Sequence, residues 1–127
     1  DEMVIVRDIA IESHCEHHMV PFIGIAHIGY IPNKRIVGIS KLARIADVFA
    51  KRLQTQETMT AQIADTINEV LKPKGVAVVI DAQHQCMTTR GTHKSESSTI
   101  TSRMLGLFRT NSNTRNEFMN LINSANK

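Results

Sequence analysis

A chain of 127 residues with 42% hydrophobic and 21% charged residues is long enough for one domain and too short for two, and this composition excludes a disordered chain. No apolar run approaches the roughly 18 residues of a membrane span, and the start lacks the basic-then-apolar order of a signal peptide, so we expect a cytoplasmic protein without a membrane partner. The formal charge of +3 fits an anionic partner, and 4% aromatic residues without tryptophan favour a small molecule over a nucleic acid.

The first part of the chain predicts two strands and a helix. Residues 3–11 are rich in β-branched side chains and predict a strand, and residues 22–31 predict a second strand that a Pro-Asn-Lys turn closes. Ser40 is the predicted N-cap of the helix that follows. This helix carries an apolar stripe at helical spacing, formed by Leu42, Ile45, Phe49 and Leu53.

The middle of the chain predicts another helix and another pair of strands. The second helix is expected to begin near Thr58 or Thr60 and to end at the Lys-Pro-Lys-Gly segment 72–75. Residues 75–87 alternate in the manner of a strand. After a polar loop, residues 99–108 predict a strand that pairs antiparallel with it.

The end of the chain predicts a short helix over residues 113–122, with Phe118, Leu121 and Ile122 facing inward. The complete order is β-β-α-α-β-β-α. This order predicts one α+β domain over residues 1–127, in which an antiparallel four-stranded sheet carries two antiparallel helices on one face.

Cysteine and histidine are concentrated in two short segments that predict a metal site. Cys15 and His18 are three residues apart, so both can point at one centre, and His84 and Cys86 leave the same face of a predicted strand. Thiolate and imidazole ligands favour zinc, and a catalytic zinc typically has three protein ligands. Cys15, His18 and Cys86 make such a set, which leaves His84 as an acid or base and His17 as a substrate contact.

The same residues permit other interpretations. The two cysteines, Cys15 and Cys86, are also compatible with a disulfide or with buried thiols. A closed structural zinc site would use His84 as its fourth ligand, and the spacing alone does not exclude it.

Seven short segments, in order along almost the whole chain, give it a resemblance to a known family. They are CEHHMVPF (15–22), HIGYIPN (27–33), GISKLARI (38–45), RLQTQE (52–57), HQCM (84–87), RG (90–91) and MLGLFR (104–109). With these segments the chain resembles the catalytic domain of the GTP cyclohydrolase I family. The resemblance implies hydrolysis of GTP to formate and 7,8-dihydroneopterin triphosphate, the entry step of folate or tetrahydropterin synthesis.

The resemblance also assigns roles at the metal centre. It implies a Zn²⁺ cofactor held by Cys15, His18 and Cys86. Zinc lowers the pKa of its water toward about 7, so hydroxide is available to attack carbon 8 of the purine. His84 is expected to protonate the imidazole nitrogen of the purine as its ring opens.

Further residues match the positions at which the family contacts its substrate. Glu57 corresponds to the residue that anchors the guanine edge, and a carboxylate suits this role because it accepts two parallel hydrogen bonds. Gln56 is expected to share the guanine pocket, and Ser40 corresponds to the residue that contacts the ribose.

The triphosphate is assigned to cations and to a helix start. Lys41, Arg44 and Arg90 match family positions that face it. A helix beginning at Ser40 would add its amides and its dipole to the anion site.

The family's fold and assembly extend these expectations. The resemblance implies the tunnelling fold and a homo-oligomer of ten chains, with active sites between subunits. A helical segment that precedes this region in the family has no match here, so weaker GTP binding by this chain alone is expected. Two alternatives remain open: another purine or pterin enzyme of the same fold, and a non-catalytic, zinc-stabilised binding module.

Overall fold

A computed structural model describes residues 2–15, 21–84 and 98–124, without the side chains at positions 15, 53 and 54. The strands are β1 Val4–Cys15, β2 Pro21–Ile31, β3 Leu53–Gln54, β4 Gly75–His84 and β5 Thr99–Gly106. The helices are α1 Ile39–Ala50, α2 Gln56–Leu71, α3 Leu107–Thr110 and α4 Ser112–Ser124. None of these helices is long and apolar enough to cross a membrane.

The sheet has five strands in the order β3-β1-β2-β4-β5. The four long strands pair antiparallel, as the sequence predicts. The additional strand β3 has two residues and pairs in parallel with the end of β1. Because β3 directly precedes α2, this pairing fixes the start of α2 beside the end of β1.

One face of the sheet packs against α1 and α2. The predicted alternation of β4 is confirmed, because Val76, Val78 and Ile80 all belong to the buried cluster on this face. Leu42 of α1 and Ile63 of α2 are fully buried in the same cluster. Burial of an aliphatic side chain contributes about 1.5–3 kcal/mol, so this layer supplies most of the hydrophobic stabilisation.

The other face of the sheet packs against α4. Phe118 lies edge-on to Phe108, with ring centroids 5.6 Å apart. The β-carbon of any larger residue at Gly29 would lie 2.7 Å from the Phe118 ring, so only glycine admits this close approach. The C-terminal helix α4 thus covers the face of the sheet opposite to α1 and α2. The helices therefore pack on both faces.

Three details of the helices and strands differ from the sequence predictions. Leu121 is 43% exposed, whereas Phe118 and Ile122 are buried as predicted. The last predicted strand stops at Gly106, whose φ of +63° turns the chain into α3. Leu53 does not belong to the apolar stripe of α1, contrary to the prediction, because the helix ends at Ala50.

The predicted N-cap at Ser40 is wrong. Gly38 is the N-cap of α1, because its backbone is extended (φ −66°, ψ 146°) and its carbonyl accepts a hydrogen bond from the Lys41 N–H at 3.0 Å. Ser40 lies within the first turn and is exposed. The helix therefore starts without a side-chain cap.

A bulge in β1 gives a buried histidine its partner. The pairing of β1 with β2 shifts between Val6 and Ile9, and Asp8 adopts a left-handed conformation with φ of +60°. Its backbone N–H donates to Nδ1 of His27 at 3.1 Å. His27 is 7% exposed, and burial lowers its pKa, with opposing contributions from the carboxylates of Asp8 and Asp81.

Candidate active site

The sequence-predicted site residues of the described chain divide between the two ends of the sheet. At one end, Ser13 of β1, Phe22 of β2 and His84 of β4 lie side by side in register. The backbone of Cys15 pairs with Gln54 at the same end. Strand β1 ends at Cys15 and β4 ends at His84 on this side of the sheet, and β2 begins here at Pro21.

His84 is held by an aromatic ring and an amide. Its ring stacks on the buried Phe22 ring with centroids 4.7 Å apart and an interplanar angle of 16°. Its Nε2 lies 2.8 Å from Oε1 of Gln56. Burial lowers the pKa of His84, and the carboxylate of Glu57 partly opposes this effect. The imidazole is therefore mainly neutral at neutral pH, as a group that exchanges a proton requires.

The amide of Gln56 is buried, with 1% of the residue exposed. Its Nε2 lies 2.9 Å from the Thr99 carbonyl oxygen, 3.1 Å from that of Ile80 and 3.1 Å from Oγ1 of Thr101. The Thr60 hydroxyl donates to the Gln56 backbone carbonyl at 2.7 Å and lies 2.7 Å from Oγ1 of Thr101. The side chain of Gln56 thus has partners at both ends of its amide.

Helix α2 begins earlier than predicted, and its first turn supplies two of the predicted site residues. Thr55 is the N-cap, and its Oγ1 accepts a hydrogen bond from the Thr58 N–H at 3.1 Å. Gln56 and Glu57 therefore occupy the first turn. Gln56 points into the chain, whereas Glu57 is exposed and free to meet a ligand. A carboxylate in the first turn also interacts favourably with the helix dipole.

The predicted ribose contact and the first triphosphate contact lie toward the opposite end. Ser40 and Lys41 are exposed in the first turn of α1, close to the end of β2, where Tyr30 binds the backbone of Val37, and Arg44 is exposed in the middle of the helix. The chain after α1 reaches the His84 end, where Oγ of Ser13 donates to the Arg52 carbonyl at 3.1 Å. At a rise of about 1.5 Å per residue, Lys41 lies about 14 Å and Arg44 about 9 Å before the end of α1 along its axis, so Lys41 is the more remote from the His84 end.

Several predicted site residues lie outside the described part of the chain. They are His17, His18, Cys86 and Arg90, together with the side chain of Cys15. Among the residues that the structure describes, no group of three or more histidine, cysteine or acidic side chains is placed to hold a metal ion. The predicted ligand set therefore stays a prediction.

The sequence did not reveal the residues that support His84. Phe22 follows the histidine-rich segment as an ordinary strand residue, yet its ring stacks on His84. Thr60 and Thr101 complete the hydrogen bonds around Gln56. One signal was present: Thr99 and Thr101 alternate on β5, and their polar side chains occur on the face that should be apolar.

Comparison with known proteins gives this arrangement its context. A family model described as GTP cyclohydrolase I matches residues 1–123. The chain belongs to the GTP cyclohydrolase I family. The resemblance seen in the seven sequence segments is thereby confirmed.

Relatives named GTP cyclohydrolase 1 are similar to this chain over nearly all of its length. The protein of Saccharomyces cerevisiae (strain ATCC 204508 / S288c) is 61% identical over 122 residues, which cover 96% of this chain and 50% of the relative. That of Homo sapiens is 57% identical over 124 residues, 98% of this chain and 50% of the relative. That of Maricaulis maris (strain MCS10) is 54% identical over 125 residues, 98% of this chain and 61% of the relative. The chain spans between half and two thirds of the length of these relatives.

A solved structure outside the GTP cyclohydrolase I family shares the fold. The crystal structure of the archaeosine synthase QueF-Like in the apo form matches with a TM-score of 0.68 and 14% identity, covering 84% of this chain and 95% of that one. At this identity the likeness concerns the fold alone. It confirms the α+β tunnelling fold.

Proposed function

We propose that this chain is the catalytic domain of a zinc-dependent enzyme that hydrolyses GTP to formate and 7,8-dihydroneopterin triphosphate. The observation that carries the proposal is the placement of His84. Its ring is fixed between Phe22 and Gln56 at the sheet edge where β1 ends at Cys15, in a chain of this family. A histidine held beside a metal-competent edge is suited to acid–base chemistry.

The residues at this edge fit a zinc ion. Cys15, His18 and Cys86 would hold it, since two thiolates and an imidazole are the ligands that zinc prefers, and the strand ends converge there. Zinc, when bound, supplies Lewis acidity that makes a water nucleophilic near neutral pH. In this proposal His84 stands beside the metal and is not a ligand, since two thiolates and one imidazole already complete the three protein ligands of a catalytic zinc.

The proton chemistry belongs to His84. Hydrolysis of the purine imidazole ring adds a hydroxyl group to carbon 8 and a hydrogen to the ring nitrogen that leaves it. A neutral imidazole next to carbon 8 can accept a proton from the attacking water and donate it to that nitrogen. The stacking on Phe22 and the contact with Gln56 restrict the ring to one orientation for both transfers.

The guanine base is recognised by Glu57 in this proposal. Guanine presents two adjacent N–H donors, at its ring nitrogen and its 2-amino group, which match the two oxygens of one carboxylate. Glu57 is exposed beside His84, and its charge acts on the pKa of that ring. A role for Gln56 in the guanine pocket stays a prediction, and its amide is already engaged within the chain.

The triphosphate and ribose contacts require a second copy of the chain. Lys41 stands in the first turn of α1, which has no acidic residue, and Arg44 lies one turn further along, an arrangement that attracts an anion. Along the helix axis Lys41 lies about 14 Å and Arg44 about 9 Å before the end of α1 at Ala50. We therefore propose that Ser40, Lys41 and Arg44 of one subunit face His84 of another, in a homo-oligomer for which the family resemblance suggests ten chains.

A non-catalytic, zinc-stabilised module is the alternative from a different class. A closed zinc site would need a fourth ligand, and His84 is the candidate. The exposed carboxylate of Glu57 beside His84 favours the enzyme, because a closed zinc site has no use for a carboxylate open to a ligand.

Product analysis tests the proposal. The full-length, zinc-loaded protein is incubated with GTP, and formate is measured together with the fluorescence of oxidised neopterin. We expect equal amounts of the two products. ATP is the matched control, because adenine lacks the two donors that Glu57 would bind, and it should give neither product. Absence of both products from GTP would contradict the proposal.

A further inference from the structure

The hydrogen bonds of Gln56 determine which way its amide faces. Its Nε2 lies next to the carbonyl oxygens of Thr99 and Ile80, at 2.9 Å and 3.1 Å, and a carbonyl oxygen only accepts hydrogen bonds. A flipped amide would place Oε1 against these two acceptors. The NH₂ group therefore points at the carbonyls, and Oε1 points at His84.

The direction of this amide determines the hydrogen on His84. An amide oxygen only accepts, so the contact of 2.8 Å with Nε2 of His84 requires a hydrogen on Nε2. A neutral imidazole carries one hydrogen on its two nitrogens. The lone pair of neutral His84 is consequently on Nδ1.

The amide is not free to adapt to another arrangement. Gln56 is 1% exposed, and the Thr60 hydroxyl binds its backbone carbonyl at 2.7 Å. Oγ1 of Thr101 is a further acceptor for Nε2 of Gln56. On the other side, Phe22 stacks on the His84 ring and restricts its rotation. Buried networks with all partners present hold a single arrangement.

We infer that Gln56 is a positioning residue, which holds His84 as the Nε2–H tautomer and so makes Nδ1 the nitrogen that exchanges a proton with the substrate. This inference rests on the proposed function. Nδ1 takes the proton that the attacking water loses as its oxygen bonds to carbon 8. The same proton passes from Nδ1 to the purine nitrogen, which receives the electron pair of its broken bond to carbon 8. His84 then returns to the Nε2–H tautomer.

Magic-angle-spinning ¹⁵N spectra of the full-length, histidine-labelled protein test the tautomer without any need for turnover. The signals of His84 are assigned by their loss in His84→Asn. We expect a protonated Nε2 and an unprotonated Nδ1 in the wild-type protein and a mixture of tautomers in Gln56→Leu. Thr60→Val is the matched control, because it removes hydrogen bonds from the same buried network but leaves the amide facing His84, and it should keep the wild-type tautomer.

Steady-state kinetics with GTP test the consequence. Removal of a group that orients a catalytic histidine typically costs about 10–100-fold, so Gln56→Leu should lose kcat by that factor with little change in KM. Thr60→Val, which keeps the Gln56 oxygen facing His84, should retain most of kcat. A merely structural role of the buried network would lower kcat in both variants.

The outcomes separate this inference from the proposed function. A wild-type protein that forms no product contradicts the proposed function, and the ¹⁵N spectra still decide the role of Gln56. An active wild-type protein with His84 protonated at Nδ1 overturns the inference alone. A higher KM with unchanged kcat in Gln56→Leu also overturns it, because Gln56 would then bind substrate instead.

Discussion

At the scale of single residues, two histidines of the sheet are held by partners of opposite kind. Gln56 offers an oxygen to Nε2 of His84, which requires a hydrogen on that nitrogen. The Asp8 backbone offers an N–H to Nδ1 of His27, which requires a lone pair on that nitrogen. Burial lowers the pKa of both rings. Burial therefore favours the neutral form of both rings, that of His84 at the candidate site and that of His27 elsewhere in the sheet.

The buried His27 should make the stability of the protein depend on pH. Its pKa is lowered in the folded protein from the ordinary 6.5, so its contribution is fully present above that value and is lost as the pH falls from it toward the folded-state pKa. Protonation would also remove the acceptor for the Asp8 N–H. We expect the urea concentration at the unfolding midpoint to be lower at about pH 5.5 than at about pH 7.5. This decrease should be larger in the wild-type protein than in His27→Gln.

His27→Gln is a suitable comparison because its amide oxygen can still accept from Asp8 but does not titrate in this range. The contribution of His84 is present in both proteins and cancels in the comparison. Equal falls of the two midpoints would show that His27 does not carry this pH dependence.

The sequence located His84 but not the residues that hold it. The spacing of two between His84 and Cys86 predicts that both leave one face of a strand, but β4 ends at His84 and Cys86 lies outside the described residues. Gln56 stands next to an exposed glutamate in a polar segment, which is typical of a solvated helix start. Its burial depends on the pairing of β3 with β1 and on Thr99 and Thr101 of β5, which lie more than forty residues away in the chain.

At the scale of elements, the starts of the two long helices are built differently. Thr55 caps α2 with its side chain, whereas α1 begins at Gly38 without a side-chain cap. Serine and threonine are both favoured N-caps, so the residue type alone does not identify the helix start. The true boundary of α2 depends on β3, which is too short to be recognised in the sequence.

Two alanine variants test these helix starts. Thr55→Ala removes the acceptor for the Thr58 N–H and should lower the free energy of unfolding by about 1 kcal/mol. Ser40→Ala changes an exposed side chain inside the first turn of α1 and should change it by less than about 0.5 kcal/mol. Urea unfolding at one protein concentration measures both. A larger loss in Ser40→Ala than in Thr55→Ala would contradict the assignment of the caps.

At the scale of the whole molecule, the order of the elements and the α+β class follow from the periods of the apolar residues. The side of the sheet that each helix covers does not follow, because an amphipathic helix has a buried face but its sequence does not name the surface it packs on. Helix α4 covers one end of its face, and Ile23 and Ile100 remain 42% and 64% exposed on the same face. These exposed apolar side chains agree with the proposed assembly of several chains.

Mixed oligomers test whether the site is shared between subunits. His84→Ala and the double variant Lys41→Ala/Arg44→Ala should each be inactive alone. Co-expressed chains should recover activity at about a quarter of the sites, because random mixing joins an intact His84 with an intact α1 start at that frequency. A site within one chain would recover none.

The control for this experiment pairs His84→Ala with a chain that carries all three substitutions. No mixed site then contains an intact His84, so activity should stay absent. Any activity in this control would point to wild-type contamination.

The separation of zinc binding from turnover tests the central claim most directly. Zinc content and formate production are measured for the full-length His84→Ala and Cys86→Ala variants. We predict that His84→Ala keeps its zinc and loses turnover, because His84 moves a proton and is not a ligand, whereas Cys86→Ala loses both. Loss of zinc in His84→Ala, or turnover retained without His84, would contradict the proposal that His84 exchanges a proton beside the metal.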